Sequence, residues 1–181
     1  MYKRQEKSYS STDFTIINTN ARSLCQKINS LLVCFEELEA DLAIITETWL
    51  TSGQSLDEDI DDLREGSGVG LLVRNRDPGS RGFSHGGVAV AFRGSRCSFA
   101  ALQTHNPENY EVLAALGTIP GHSRKMLVLA CYLPPGDSAA RGHGCLDHIQ
   151  DLLIQFKRKY SDPYIVVGGD CLLYTSPSPR D

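Results

Sequence analysis

The sequence has no apolar run long enough to cross a bilayer, only one tryptophan, only two methionines, and no cysteine pair in CxxC spacing. A membrane-spanning helix needs about 20 predominantly apolar residues in a row, so no such span is expected. Positive charge is not in excess either. Eighteen Lys and Arg against 22 Asp and Glu leave a net charge of -4 and a pI of about 5.7. No overall positive field is therefore present to hold nucleic acid nonspecifically. A DNA-acting enzyme stays compatible with this charge, because a divalent metal can supply positive charge locally. Cys25, Cys34, Cys97, Cys131 and Cys145 lack the spacing of a zinc ribbon or a disulfide framework. They read as mostly buried free thiols in a reducing compartment. The group His143, Cys145, Asp147 and His148 has no second half of a ligand set, and its spacing suits a helix start better than a metal site. Lys3, Arg4, Glu6 and Lys7 open the chain without the apolar run of a signal peptide, so residues 1–13 are expected to be a flexible terminus.

What is present suits one globular domain. The 181 residues, with 41% hydrophobic and 22% charged, can bury a sizeable core. Strand and helix signals alternate. Phe14, Thr15, Ile16 and Ile17 form a short β-branched strand. Ile28, Leu31, Leu32, Phe35 and Leu38 recur at helical spacing and predict an amphipathic helix over 24–39, with Asn20 or Ser23 as its cap. The run 41–47 is almost continuously apolar and ends on Glu47, as in a strand buried on both faces. Residues 51–68 are polar and acidic and read as a solvated loop. The glycines at 66, 68 and 70 precede no helix pattern and read as a strand entry rather than a phosphate cradle. Strands are then expected at 70–74, 87–93, 110–119 and 126–132, with turn-rich connections at 79–86 and around His105, Asn106 and Pro107. Leu146, Ile149, Leu152, Leu153, Phe156 and Tyr160 trace a second amphipathic helix. Asp162 and Pro163 stop it, and 164–167 is the last strand. This order suits an α/β sandwich in which helices cover stacked sheets.

Four polar residues stand at or beside the expected strand ends: Asn20, Glu47, Tyr132 and Asp170. Strand tips at one sheet edge are where α/β proteins commonly build sites, although a lone acidic residue there more often just forms a turn. Taken together these side chains suit phosphodiester hydrolysis. A carboxylate can hold a hard cation, an amide can shape the site, a phenol can steady a phosphate, and a second carboxylate can orient water.

Five segments carry a more specific signal: Thr19-Asn20-Ala21-Arg22-Ser23-Leu24, Ile45-Thr46-Glu47-Thr48-Trp49-Leu50, Gly86-Gly87-Val88-Ala89-Val90, Tyr132-Leu133-Pro134-Pro135-Gly136 and Val166-Val167-Gly168-Gly169-Asp170. In this order they resemble the endonuclease/exonuclease/phosphatase superfamily. The Glu-Thr-Trp-Leu and Gly-Gly-Val-Ala blocks resemble the endonuclease domains of non-LTR (LINE-type) retrotransposons in particular. The resemblance covers residues 14–170 and implies a four-layer α-β-β-α sandwich, incomplete at its C-terminus. It implies that Glu47 ligates Mg2+ (or Mn2+) at the scissile phosphate and that Asn20 supports metal and phosphate. It implies further that Tyr132 contacts the phosphate and that Asp170 orients or activates the attacking water. Arg22 and Lys27 are candidate DNA-phosphate contacts, against the plainer reading of exposed helix charges. Trp49 is a candidate base-stacking residue, against a plain packing role. The implied partners are double-stranded DNA and a reverse transcriptase domain in the same natural polyprotein, with no membrane. The substrate alone implies an intracellular, nuclear location.

The pattern breaks after Asp170. The family has Phe and Asn there, and this chain has Cys171 and Leu172. Residues 171–181 resemble, when back-translated, a transposase-type sequencing-library adapter read in frame. They are expected to be foreign to the fold. The family's asparagine of that motif and its later aspartate and histidine are missing, so the chain as it stands is expected to be inactive. The expected fold would leave strand edges open at that side. Two other readings stay open: a superfamily phosphatase acting on inositol phosphates or lipids, and a non-catalytic remnant that binds DNA or a partner.

Overall fold

The computed structural model describes residues 13–50, 68–75, 86–102, 110–134 and 139–171. The expected flexible terminus up to residue 12, the acidic loop, the connection at 76–85, the turn around His105 to Pro107 and the tail beyond Cys171 lie outside these residues. The elements in chain order are β1 (Ile16–Asn20), a 3-10 turn (Cys25–Lys27), α1 (Ile28–Glu37), β2 (Leu42–Thr46), β3 (Val69–Arg74), β4 (Val88–Arg93), β5 (Ser98–Ala101), β6 (Glu111–Thr118), β7 (Lys125–Leu133), α2 (Ala139–Lys159) and β8 (Tyr164–Cys171).

The strands form two four-stranded sheets, ordered β1-β2-β4-β3 and β5-β6-β7-β8. Each sheet contains one parallel pair at an outer side, β1 with β2 and β7 with β8, and its other pairs are antiparallel. A parallel pair needs a long crossover, and here each crossover contains a helix, α1 in one sheet and α2 in the other. The outer strands β1 and β8 face each other across the sandwich, since Asn18 Nδ2 donates to Gly169 O at 3.1 Å.

Period-2 alternation sorts the side chains into layers. On β2, Ala43 and Ile45 face α1 and join Leu24, Ile28, Leu31 and Phe35 in one core. Leu42 and Ile44 point the other way and pack with Val88, Val90, Leu113, Val128 and Ala130 between the sheets. On β7, Leu127, Leu129 and Cys131 turn outward to Phe156 and Cys145 of α2. The result is the α-β-β-α sandwich expected from the resemblance, which makes the strand run at 41–47 a strand buried on both faces.

Three local expectations need correction. The helix begins as a 3-10 turn with Leu24 as its N-cap, and neither Leu24 nor Lys27 makes a side-chain cap bond, so Asn20 and Ser23 do not cap it. The short strand β5 has only four residues, too few to show a period, and the sequence reading misses it. Strand β8 runs on to Cys171 rather than ending at 167, because its parallel register with β7 continues from Met126↔Tyr164 to Leu133↔Cys171. Two glycines hide that continuation. Gly169 sits at φ +143°, and a Cβ there would stand 1.8 Å from the Cys131 carbonyl oxygen, so only glycine fits this pairing.

Candidate active site at the carboxyl ends of the parallel strands

Both parallel pairs point their carboxyl ends to the same edge of the sandwich. Asn20 is the last residue of β1, Glu47 directly follows β2, Tyr132 is the penultimate residue of β7, and Asp170 is the penultimate residue of β8. Register places Tyr132 opposite Asp170. Alternation along β7 turns Tyr132 inward between the sheets. Its hydroxyl thus crosses from one sheet to the other and donates to Glu47 Oε1 at 3.1 Å. A second bond closes the same gap on the outer side. Asn20 Nδ2 donates to Asp170 Oδ2 at 2.9 Å, and Asn20 Oδ1 accepts from Arg22 N–H at 3.1 Å. The four residues chosen from sequence therefore meet, as two cross-sheet pairs.

The backbone that presents Glu47 adopts a rare conformation. Glu47 (φ 52°) and Trp49 (φ 53°) lie in the left-handed region, as do Arg22 (φ 45°) and Ser23 (φ 87°) in the neighbouring turn. Such residues cost of order 1 kcal/mol each and persist only where surrounding contacts over-determine them. Here those contacts are backbone bonds. Ser23 N–H donates to Glu47 O at 3.0 Å and Leu24 N–H to Thr48 O at 2.9 Å. Thr48 N–H donates to Gly87 O at 3.2 Å and Trp49 N–H to Gly86 O at 2.8 Å. Gly87 is required at this crossing, since a Cβ there would stand 2.2 Å from Thr48 Oγ1. The Gly-Gly segment is thus a docking rail for the Glu47 turn.

The electrostatics are one-sided. Burial and the Glu47 carboxylate, with further contributions from Glu111 and Asp170, push the Tyr132 phenol well above the ordinary tyrosine range. The phenol therefore stays protonated and serves as a donor. Glu111 was not chosen from sequence. It is buried, sits opposite Tyr132 in the β6–β7 register, and its Oε2 accepts Gly87 N–H at 2.6 Å. Its signal was an acidic residue opening an otherwise apolar run. Arg74 Nη1 donates to Val112 O at 2.7 Å, which brings a guanidinium to the residue beside Glu111.

The candidate DNA contacts fare differently. Arg22 is exposed at the rim beside Asn20. Lys27 is exposed too, but its ammonium bonds back to the Ala21 carbonyl. Trp49 is half-buried. Of the cysteines, Cys97, Cys131 and Cys145 are buried, whereas Cys25 and Cys34 are exposed. The expectation of mostly buried thiols holds for those three alone.

No protein-family model matches the sequence, and no curated protein matches it. Solved structures do. TDP2 from Caenorhabditis elegans is similar with a TM-score of 0.63 and 15% identity, over 96% of this chain and 53% of that one. The endonuclease domain of TRAS1, a telomere-specific non-LTR retrotransposon, is similar with a TM-score of 0.57 and 14% identity, over 90% of this chain and 61% of that one. The 3′ phosphatase NExo from Neisseria, bound to product DNA hairpin, gives a TM-score of 0.59 and 14% identity, over 87% of this chain and 57% of that one. At such identities the likeness establishes the fold, which is of the endonuclease/exonuclease/phosphatase type. The chain spans between half and two-thirds of the length of these structures.

Proposed function

We propose that the chain is part of a metal-dependent DNA endonuclease domain that nicks target DNA to prime reverse transcription of a non-LTR (LINE-type) retrotransposon. The observation that carries this reading is the meeting of Asn20, Glu47, Tyr132 and Asp170 at the carboxyl ends of both parallel pairs. The likeness to the TRAS1 endonuclease domain supports the retrotransposon assignment, and the DNA hairpin on NExo supports DNA as substrate. The proposed partners are double-stranded DNA and a reverse transcriptase domain of the same polyprotein, acting in the nucleus.

Magnesium or manganese fits the donors present. All are oxygens, which suit these hard cations. Magnesium keeps several waters and takes phosphate oxygens, so one or two carboxylates are enough. Glu47 would hold the cation, with Asn20 and Asp170 beside it. When bound, the cation neutralises the charge that develops on the phosphate. The chain's own groups do the rest. Asn20 fixes the Asp170 carboxylate through one oxygen and leaves lone pairs to orient a water and accept its proton. Tyr132 keeps its proton and can turn it from Glu47 to a phosphate oxygen. Asn20 also ties the Arg22 turn, and with it the rim where a phosphate backbone would approach.

Cys171 and Leu172 stand where the resembled family has Phe and Asn, so the chain alone is expected not to nick DNA. Losing one preorganised polar group costs about 10²–10³-fold in rate. The test is to amplify and sequence the source DNA across the Asp170 codon and express the domain with its natural continuation. Conversion of supercoiled plasmid to open circle with magnesium, abolished by chelator and by Glu47→Gln, is the expected result. A completed domain that binds DNA but leaves plasmid supercoiled with both magnesium and manganese would refute the nuclease and favour the binding remnant.

A further inference from the structure

We propose that Glu111 is a positioning residue that locks the Gly86–Gly87 rail and, through it, the turn presenting Glu47. The proposal rests on the reading of Glu47 as the metal carboxylate for its purpose, but not for its geometry. Glu111 enters no step of the chemistry above.

The argument is a chain of bonds. Glu111 Oε2 accepts Gly87 N–H at 2.6 Å, a short contact. Gly87 O and Gly86 O then accept the N–H groups of Thr48 and Trp49 at 3.2 and 2.8 Å. Those two residues flank the left-handed turn at Glu47. Thr48 presses against Gly87 so closely that no side chain fits between them. A rail made of two glycines has no side chains of its own to hold it in place and the most backbone freedom to lose. An acceptor from outside must therefore hold it, and Glu111 comes from the other sheet. The same residue is the register partner of Tyr132, whose hydroxyl donates to the Glu47 side chain. One carboxylate thus braces the backbone under Glu47 and shares a strand pairing with the phenol that meets its side chain.

Burial of a carboxylate is costly unless it is bonded. Glu111 is only 4% exposed, so a purely space-filling residue at this position would be better apolar. A carboxylate at the first residue of β6, level with Tyr132, is what the positioning role requires.

The chain's single tryptophan makes the idea testable without metal or DNA, because Trp49 rides on the same rail. Emission and acrylamide quenching of Trp49 would be measured in the wild-type chain and in Glu111→Gln, Glu111→Asp and Glu111→Ala. Glutamine keeps an acceptor oxygen at the same reach, so its emission should match wild type. Aspartate keeps the charge but withdraws the acceptor by one methylene, so Trp49 should shift to longer wavelength and become more open to quenching. Alanine should do the same or more. Far-UV circular dichroism checks that each variant is folded, and Glu111→Asp decides the matter if alanine is not tolerated. Unchanged Trp49 emission in Glu111→Asp would overturn the proposal, as would an equal shift in Glu111→Gln. These outcomes are independent of whether the domain cleaves DNA. If it does bind metal, Mn2+ affinity read by electron paramagnetic resonance should fall in Glu111→Asp and hold in Glu111→Gln.

Discussion

Strand β2 is bracketed by two carboxylates, Asp41 before it and Glu47 after it, in opposite surroundings. Asp41 is buried and fully engaged. Its Oδ1 pairs with Arg96 Nε at 2.9 Å and its Oδ2 accepts Thr15 N–H at 2.9 Å. Around it Arg93 donates to the carbonyls of Phe35 and Ala40, which closes the end of α1, and to the Glu36 carboxylate. Cys97 adds a thiol bond to the Asp41 carbonyl. Glu47, at the other end, accepts from Tyr132, a phenol that Glu111 and Asp170 also face, on backbone in the left-handed region. One end spends its charge on holding the sandwich shut. The other holds its carboxylate on strained backbone against a single phenol donor.

The sharpest way to break this contrast is to delete each carboxylate in turn. Asp41→Ala strips the partner from Arg96 and leaves Thr15 N–H without its acceptor. Arg96 is itself partly exposed and can turn to water, so the cost is that of the lost hydrogen bonds to a charged group and of the orphaned N–H, about 2 kcal/mol. Urea denaturation should show a loss of that order, with the m-value unchanged. A loss under about 0.5 kcal/mol, the size of an ordinary surface change, would mean that this end is no staple.

Glu47→Gln should behave in the opposite way. An amide oxygen can still accept from Tyr132, so stability should stay within about 0.5 kcal/mol of wild type. Mn2+ affinity should fall at least tenfold, or about 1.4 kcal/mol. A variant that binds Mn2+ as tightly as wild type would remove Glu47 from the metal site. One that unfolds would make Glu47 as structural as Asp41.

Much of this asymmetry was legible before the fold was known, but only in part. The apolar run from Leu42 to Ile45, closed by Glu47, announced a strand buried on both faces with a polar tip. Asn20, Tyr132 and Asp170 were recognisable because each follows or ends an apolar strand signal and belongs to a short motif. Their pairing was not readable, since Asn20 and Asp170 meet across 150 positions of sequence. Asp41 looked like the start of the strand and Glu111 like the start of another. Nothing local tells a carboxylate held by an arginine or a glycine N–H from one that faces solvent. The left-handed backbone at Glu47 and Trp49 was invisible for a related reason: neither is a glycine, and only tertiary bonds force the conformation. Strand β8 was cut short at 167 because Gly168 and Gly169 carry no strand signal of their own, whereas the close approach to Cys131 makes glycine obligatory at 169 inside the strand.

The smallest predicted effect separates the two ends by pH. Burial first, and the Asp41 carboxylate second, push the Cys97 thiol from 9.0 up to about 12. The native pKa lies above the unfolded one, so the neutral thiol stabilises the fold fully below pH 9. That contribution declines as pH rises from 9 towards 12, because the unfolded chain ionises first. Between pH 8 and pH 10 the loss should be about 1 kcal/mol. Tyrosines and lysines titrate in the same range, so the measurement is a difference. Stability of wild type minus that of Cys97→Ala, taken at both pH values, isolates the thiol. The difference should shrink by about 1 kcal/mol at the higher pH. A difference that does not move with pH would mean that the Asp41 end is wet. It would then be no better sealed than the Glu47 end, and the contrast would rest on ion pairing alone.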